Sequence, residues 1–164
     1  GFTNLIQTRI VPIKQIEGAL FLAISELFDN VSEHSKTKKG FICSQYYTKK
    51  QYLENCIIDN GIGLKQSYIN HGIECESDEK AIELAISGKS TKPESGRGYG
   101  LSKTIEMICD LRGEILLVSG SAFVFLNSKQ SIRNRLDEFY WEGLIVAFRI
   151  PKTNEKIELY KYYE

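Results

Sequence analysis

The 164-residue chain is 42% hydrophobic, 26% charged and 11% aromatic, which is enough apolar material for one globular core and too much for a disordered segment. Its 21 basic and 21 acidic side chains cancel, excluding the bulk positive field that gathers nucleic acid or anionic lipid, so a bound anion must be captured locally. The longest apolar run, Ala19 to Ile24, has six residues against the roughly 20 of a membrane-spanning helix, so neither a span nor a signal peptide is read.

The chain starts at Gly1 without methionine and reads as a fragment of a longer protein, a single domain over 1–164 with a core from about 14 to 150. Residues 14–35 carry Ile16, Leu20, Ala23, Leu27 and Val31 at helical spacing, with Phe21, Ile24 and Phe28 widening the stripe. Pro12 suits the entry to this helix, and the lysine-rich run to Gly40 suits its end. Two strand-like runs, 41–47 and 52–58, flank the polar Thr48–Gln51 and predict an antiparallel hairpin. From 64 to 95 the chain turns polar and reads as a mobile connecting stretch with one short helix near 78–87. A helix over 101–111 follows, then strands at 114–119, 122–126 and 144–150, and a charged, tyrosine-rich tail from 152 that reads as peripheral. The four cysteines, Cys43, Cys56, Cys75 and Cys109, have no zinc spacing and read as reduced thiols of a cytoplasmic protein. Cys43 and Cys56 serve there as small hydrophobes within strands.

Three constellations carry chemistry. Glu26, Asn30 and His34 recur every four residues along one edge of the first helix, a solvated edge or a polar stripe built for a ligand. In the ligand reading Asn30 offers an oxygen to a hard cation and Glu26 is a general base beside it. His34, near the helix end, fits a terminus or packing role. Asp59 ends an apolar strand and is followed by Gly61 and Gly63. It can accept a hydrogen bond from an exocyclic amine such as that of adenine, although Asp-Asn-Gly is equally a common turn. Gly96, Gly98 and Gly100 lead directly into a helix at Leu101, so free amides and the positive helix end can cradle phosphate, with Lys92 and Arg97 as flanking cations or simply solvated side chains. The spacing is neither the dinucleotide fingerprint nor a Walker loop.

In this order, Glu26-x-x-x-Asn30, Asp59-x-Gly61-x-Gly63 and Gly96-x-Gly98-x-Gly100 resemble the GHKL superfamily of gyrase, heat-shock chaperone, histidine-kinase and mismatch-repair ATPases. The resemblance implies the Bergerat fold: an α/β, two-layer α+β sandwich with a mixed, mostly antiparallel sheet, helices on one face, and a mobile ATP lid over residues 64–95. It implies Asn30 as magnesium ligand, Asp59 as reader of adenine, Gly61 and Gly63 as the first glycine box, and Gly96, Arg97, Gly98, Tyr99, Gly100 and Leu101 as the phosphate side. Ser90, Thr91 and Lys92 are similar to the lid end that approaches the terminal phosphate. The run around Glu26 is similar to anti-sigma-factor kinases, so Glu26 is the implied catalytic residue, with ATP and Mg²⁺ as cofactors and a regulatory protein or phosphoacceptor as partner. Val31 stands where a small alanine is usual, Arg97 and Tyr99 replace the threonine and leucine frequent in histidine kinases, and no phosphoacceptor histidine box is present. The alternatives are the catalytic domain of a histidine kinase without its phosphoacceptor part, and a nucleotide-gated interaction module.

Overall fold

The computed structural model describes residues 17–34, 40–89, 100–153, 158 and 162, without the side chains of 17 and 28–34. Four helices and six strands are described: α1 (Glu17–His34), β1 (Gly40–Tyr47), β2 (Tyr52–Asp59), α2 (Gly63–Asn70), α3 (Asp78–Ile86), α4 (Gly100–Asp110), β3 (Glu114–Gly120), β4 (Ala122–Asn127), β5 (Ser131–Arg135) and β6 (Trp141–Pro151). The strands form one sheet in the order β1-β2-β6-β3-β4-β5. Every described pairing is antiparallel, so the expected mixed sheet is corrected to a purely antiparallel one over these residues.

Alternation along the strands explains the two layers. Leu53 and Ile57 of β2, Val146, Phe148 and Ile150 of β6, Ile115 and Leu117 of β3, and Val124 of β4 point to one face and are buried there. The helices cover that face: α1 meets β2 and α4, while α2, α3 and α4 pack along β3, β4 and β6. Leu20, Ala23 and Leu27 of α1 and Ile105, Met107 and Ile108 of α4 complete the core. Each large side chain withdrawn from water here stabilises the fold by roughly 1.5–3 kcal/mol. Phe21 does not join it. Helical geometry turns it outward and leaves it 54% exposed, so the expected stripe is narrower there.

Several local expectations change. The polar stretch after Leu64 holds two helices rather than one, because Tyr68, Cys75 and Ala81 form a small second core between α2 and α3. Ser77 caps α3 by accepting from Lys80 N at 3.1 Å, and Asp78 fastens that first turn to the β3–β4 turn through Ser121 N and Oγ at 2.9 and 3.0 Å. β5 carries no apolar alternation and lies entirely exposed at the sheet edge, where Arg133 and Arg135 disfavour further strand addition. In the tail, Tyr162 is buried and donates to Asp110 Oδ2 at 2.6 Å, so the peripheral reading is corrected at that residue. Burial and the Asp110 carboxylate both raise the pKa of its phenol. Among the described residues no helix is long and apolar enough to cross a membrane.

Candidate functional site

Two places carry the expected site residues: the contact between the middle of α1 and the start of α4, and the end of β2 on the helix-covered face of the sheet. Glu26 sits on α1 among Ala23, Ile24 and Leu27 and is 5% exposed. Its Oε1 accepts a hydrogen bond of 3.0 Å from the backbone N–H of Gly100, 74 residues away, at the first residue of α4. The first and third sequence constellations therefore meet. The amides and positive end of a helix favour an acceptor at this place, and the hydrogen bond compensates part of the side chain's burial. Gly100, expected in the phosphate cradle, gives its amide to Glu26 here.

Asp59 closes β2 on the helix-covered face and is 4% exposed. Its Oδ1 accepts from Gly61 N at 2.8 Å, so the turn reading is realised, and the Leu144 amide of β6 also hydrogen-bonds the carboxylate. Burial is the larger influence and raises the Asp59 pKa above its ordinary 3.8, against the two amides, which lower it. Among the described residues no cation enters that balance. A carboxylate has about four acceptor positions, and two amides leave room for an N–H donor from a ligand.

The backbone around Asp59 is held by residues that sequence reasoning missed. Trp141, the single tryptophan, donates from Nε1 to the Asp59 carbonyl at 2.7 Å. Gly143 has φ of +144°, and a Cβ there would lie 2.3 Å from the Asp59 carbonyl oxygen, so β6 can pass this close only as glycine. Ser119 of β3 donates to Gly143 O at 2.8 Å and accepts from Leu64 N at 3.0 Å. It thereby supplies the cap that Ile62, the residue before α2, cannot, and fixes the Gly61–Gly63 turn to the sheet. A Trp-x-Gly beginning an apolar run was the available signal for Trp141 and Gly143. Ser119 had none, because its partners lie 55 and 24 residues away.

The other expected site residues divide plainly. Gly61 is buried in the turn and Gly63, at φ of +72°, opens α2. Leu101 lies on α4 against the core. Asn30 lies on α1 one turn after Glu26, with its side chain outside the described residues, as is that of His34. Ser90, Thr91, Lys92, Gly96, Arg97, Gly98 and Tyr99 also lie outside them. Among the described residues no three histidine, cysteine, aspartate or glutamate side chains gather to hold a metal. No protein-family model matches the chain, and no curated protein matches it significantly.

Proposed function

We propose that the chain binds ATP with Mg²⁺ in a Bergerat-type site and hydrolyses it or transfers its terminal phosphoryl group to a protein. The observation that carries this reading is the Glu26–Gly100 hydrogen bond, which joins the polar stripe of α1 to the glycine-led start of α4. The buried, amide-bonded Asp59 supports it as the acceptor for the adenine amine, since a buried carboxyl group with acceptor positions left over from its two amides is satisfied by a further donor. The antiparallel sheet of the described residues, with one helix layer, is compatible with the two-layer sandwich that the resemblance implies.

The donor set fits magnesium in one respect. This ion takes few protein ligands and keeps water and phosphate oxygens, so the lack of an acidic cluster among the described residues is compatible with it, and Asn30, the ligand that the resemblance implies, would hold it. Bound there, it would neutralise charge developing on the phosphates. Glu26 would accept the proton of the attacking water or hydroxyl, a step open to it either at an acceptor position beside the Gly100 amide or by exchanging that amide for the nucleophile. Arrival of a phosphate at the Gly100 amide would favour that exchange, and the same competition supports a second reading in which nucleotide gates partner binding.

The test is thermal unfolding with and without Mg-ATP. At 100 times its dissociation constant the nucleotide should add about 2.7 kcal/mol of stability, and Asp59→Asn should remove that gain. An unchanged melting temperature in the native chain overturns nucleotide binding. With binding established, a Glu26→Gln variant should bind ATP and lose turnover, whereas undiminished turnover removes Glu26 from the chemistry.

A further inference from the structure

The expectation that Cys43 and Cys56 serve as packed hydrophobes fails for Cys43, which is exposed, while Cys56 is half-buried. The hairpin register sets the two residues directly opposite each other on β1 and β2. Opposed residues share a face, and Asn55 and Ile57, the neighbours of Cys56, are the buried ones, so both thiols stand on the face away from the helices. β1 is one of the two edge strands of the described sheet. Opposed Cα atoms in antiparallel strands are about 4.5–5.5 Å apart, inside the roughly 4.4–6.8 Å span of a disulfide. Cys75 is buried in the small α2–α3 core and Cys109 lies on α4, so neither is placed by the hairpin against this pair.

We propose that Cys43 and Cys56 form a cross-strand dithiol, a modification site that a small-molecule disulfide oxidises to an intrachain disulfide. Cys43 is the attacking group because it is exposed, whereas burial and the adjacent Cys43 raise the pKa of the Cys56 thiol. The Cys43 thiolate attacks one sulfur of the oxidant, forming a mixed disulfide and releasing one small thiol. Cys56 then loses its proton to solvent and attacks Cys43 Sγ, which expels the second small thiol. Two protein thiols are oxidised by two electrons, and one small disulfide is reduced to two thiols. The new bond clips the edge strand to β2 three residues before Asp59, and it forms whether or not the chain binds nucleotide.

Oxidised glutathione is the probe. The native chain, treated with it and then alkylated, should lose two hydrogen atoms by intact mass, retain two alkylatable thiols, run as a monomer without reductant, and yield one linked peptide joining Cys43 to Cys56. Cys75→Ser and Cys109→Ser should form the same bridge and each retain one alkylatable thiol, while Cys56→Ser should stop at the glutathione adduct of Cys43. A native chain that accumulates that adduct with Cys56 still alkylatable overturns the proposal, as does a Cys43-linked dimer or a bridge to Cys75 or Cys109. In urea the four cysteines should lose this selectivity. If the same selectivity persists there, sequence proximity rather than the sheet directs the bond and the structural argument fails.

Discussion

β2 presents carboxylates to both faces of the sheet, and the two are treated in opposite ways. Glu54, on the outer face, meets Arg149 NH2 at 2.8 Å, and the same guanidinium holds Glu114 at 2.9 Å while lying 4.4 Å from the centroid of the Tyr52 ring. The Arg149 hydrogen bond lowers the Glu54 pKa below its ordinary 4.5. Asp59, five residues on and on the inner face, is met by backbone amides, and burial raises its pKa. The outer cluster explains itself as a solvated ion network. The inner carboxylate costs stability when ionised, and the fold encloses it with a glycine, a tryptophan and a serine from distant strands. Such an expense is expected of a group kept for binding.

The comparison breaks most severely at Gly143. Gly143→Ala would place a methyl group against the Asp59 backbone in a conformation that side chains rarely adopt, and should cost roughly 2–4 kcal/mol by urea unfolding. It should also abolish the stabilisation by Mg-ATP that the proposed function expects. Ser119→Ala comes next. It strips the acceptor from Leu64 N and the donor from Gly143 O, so a loss of about 1–3 kcal/mol is expected, partly restored by threonine. An unchanged stability would show that the Gly61–Gly63 turn is held by other groups.

Titration sharpens the contrast because the two signs are opposite. The raised Asp59 pKa means that the folded chain holds its proton more tightly. Its contribution to stability is present below the ordinary value of 3.8 and is lost as pH rises through the raised one. For Glu54 the contribution is present above 4.5 and is lost as pH falls through the lowered value. Carboxyl chemical shifts followed through the acid range should give an Asp59 midpoint above 3.8 and a Glu54 midpoint below 4.5, and an Asp59 midpoint at or below 3.8 or a Glu54 midpoint at or above 4.5 would erase the distinction. The smallest effect belongs to Glu54→Gln. The ion pair is more than a third exposed on both sides, so removing the charge should change stability by under about 1 kcal/mol, and less in high salt.

Local chemistry was legible wherever a residue and its partners are close in sequence. The 40–59 hairpin followed from two strand-like runs around a polar turn, and α1 and α4 from three- and four-residue apolar spacing. α2 escaped because its small core pairs Tyr68 with Cys75 and Ala81 across a polar stretch, and β5 because an edge strand exposed on both faces needs no alternation. The candidate site was legible at Glu26, Asp59 and Gly61. The supports contributed by Ser119, Trp141 and Gly143 were not, since a side chain's nonlocal partner leaves no periodicity to read.

By itself, then, the sequence determined the elements other than α2 and β5, the neutral net charge, and the ordered polar and glycine-rich segments, the elements being consequences of side-chain chemistry repeated at helical or strand spacing. Tertiary structure alone decided that β6 enters between β2 and β3, bringing Gly143 onto the carbonyl of Asp59, and that α4 begins against Glu26. It also decided which face each thiol and carboxylate of β2 occupies, because burial depends on which strands and helices arrive to cover a face, and that choice is made by long-range packing.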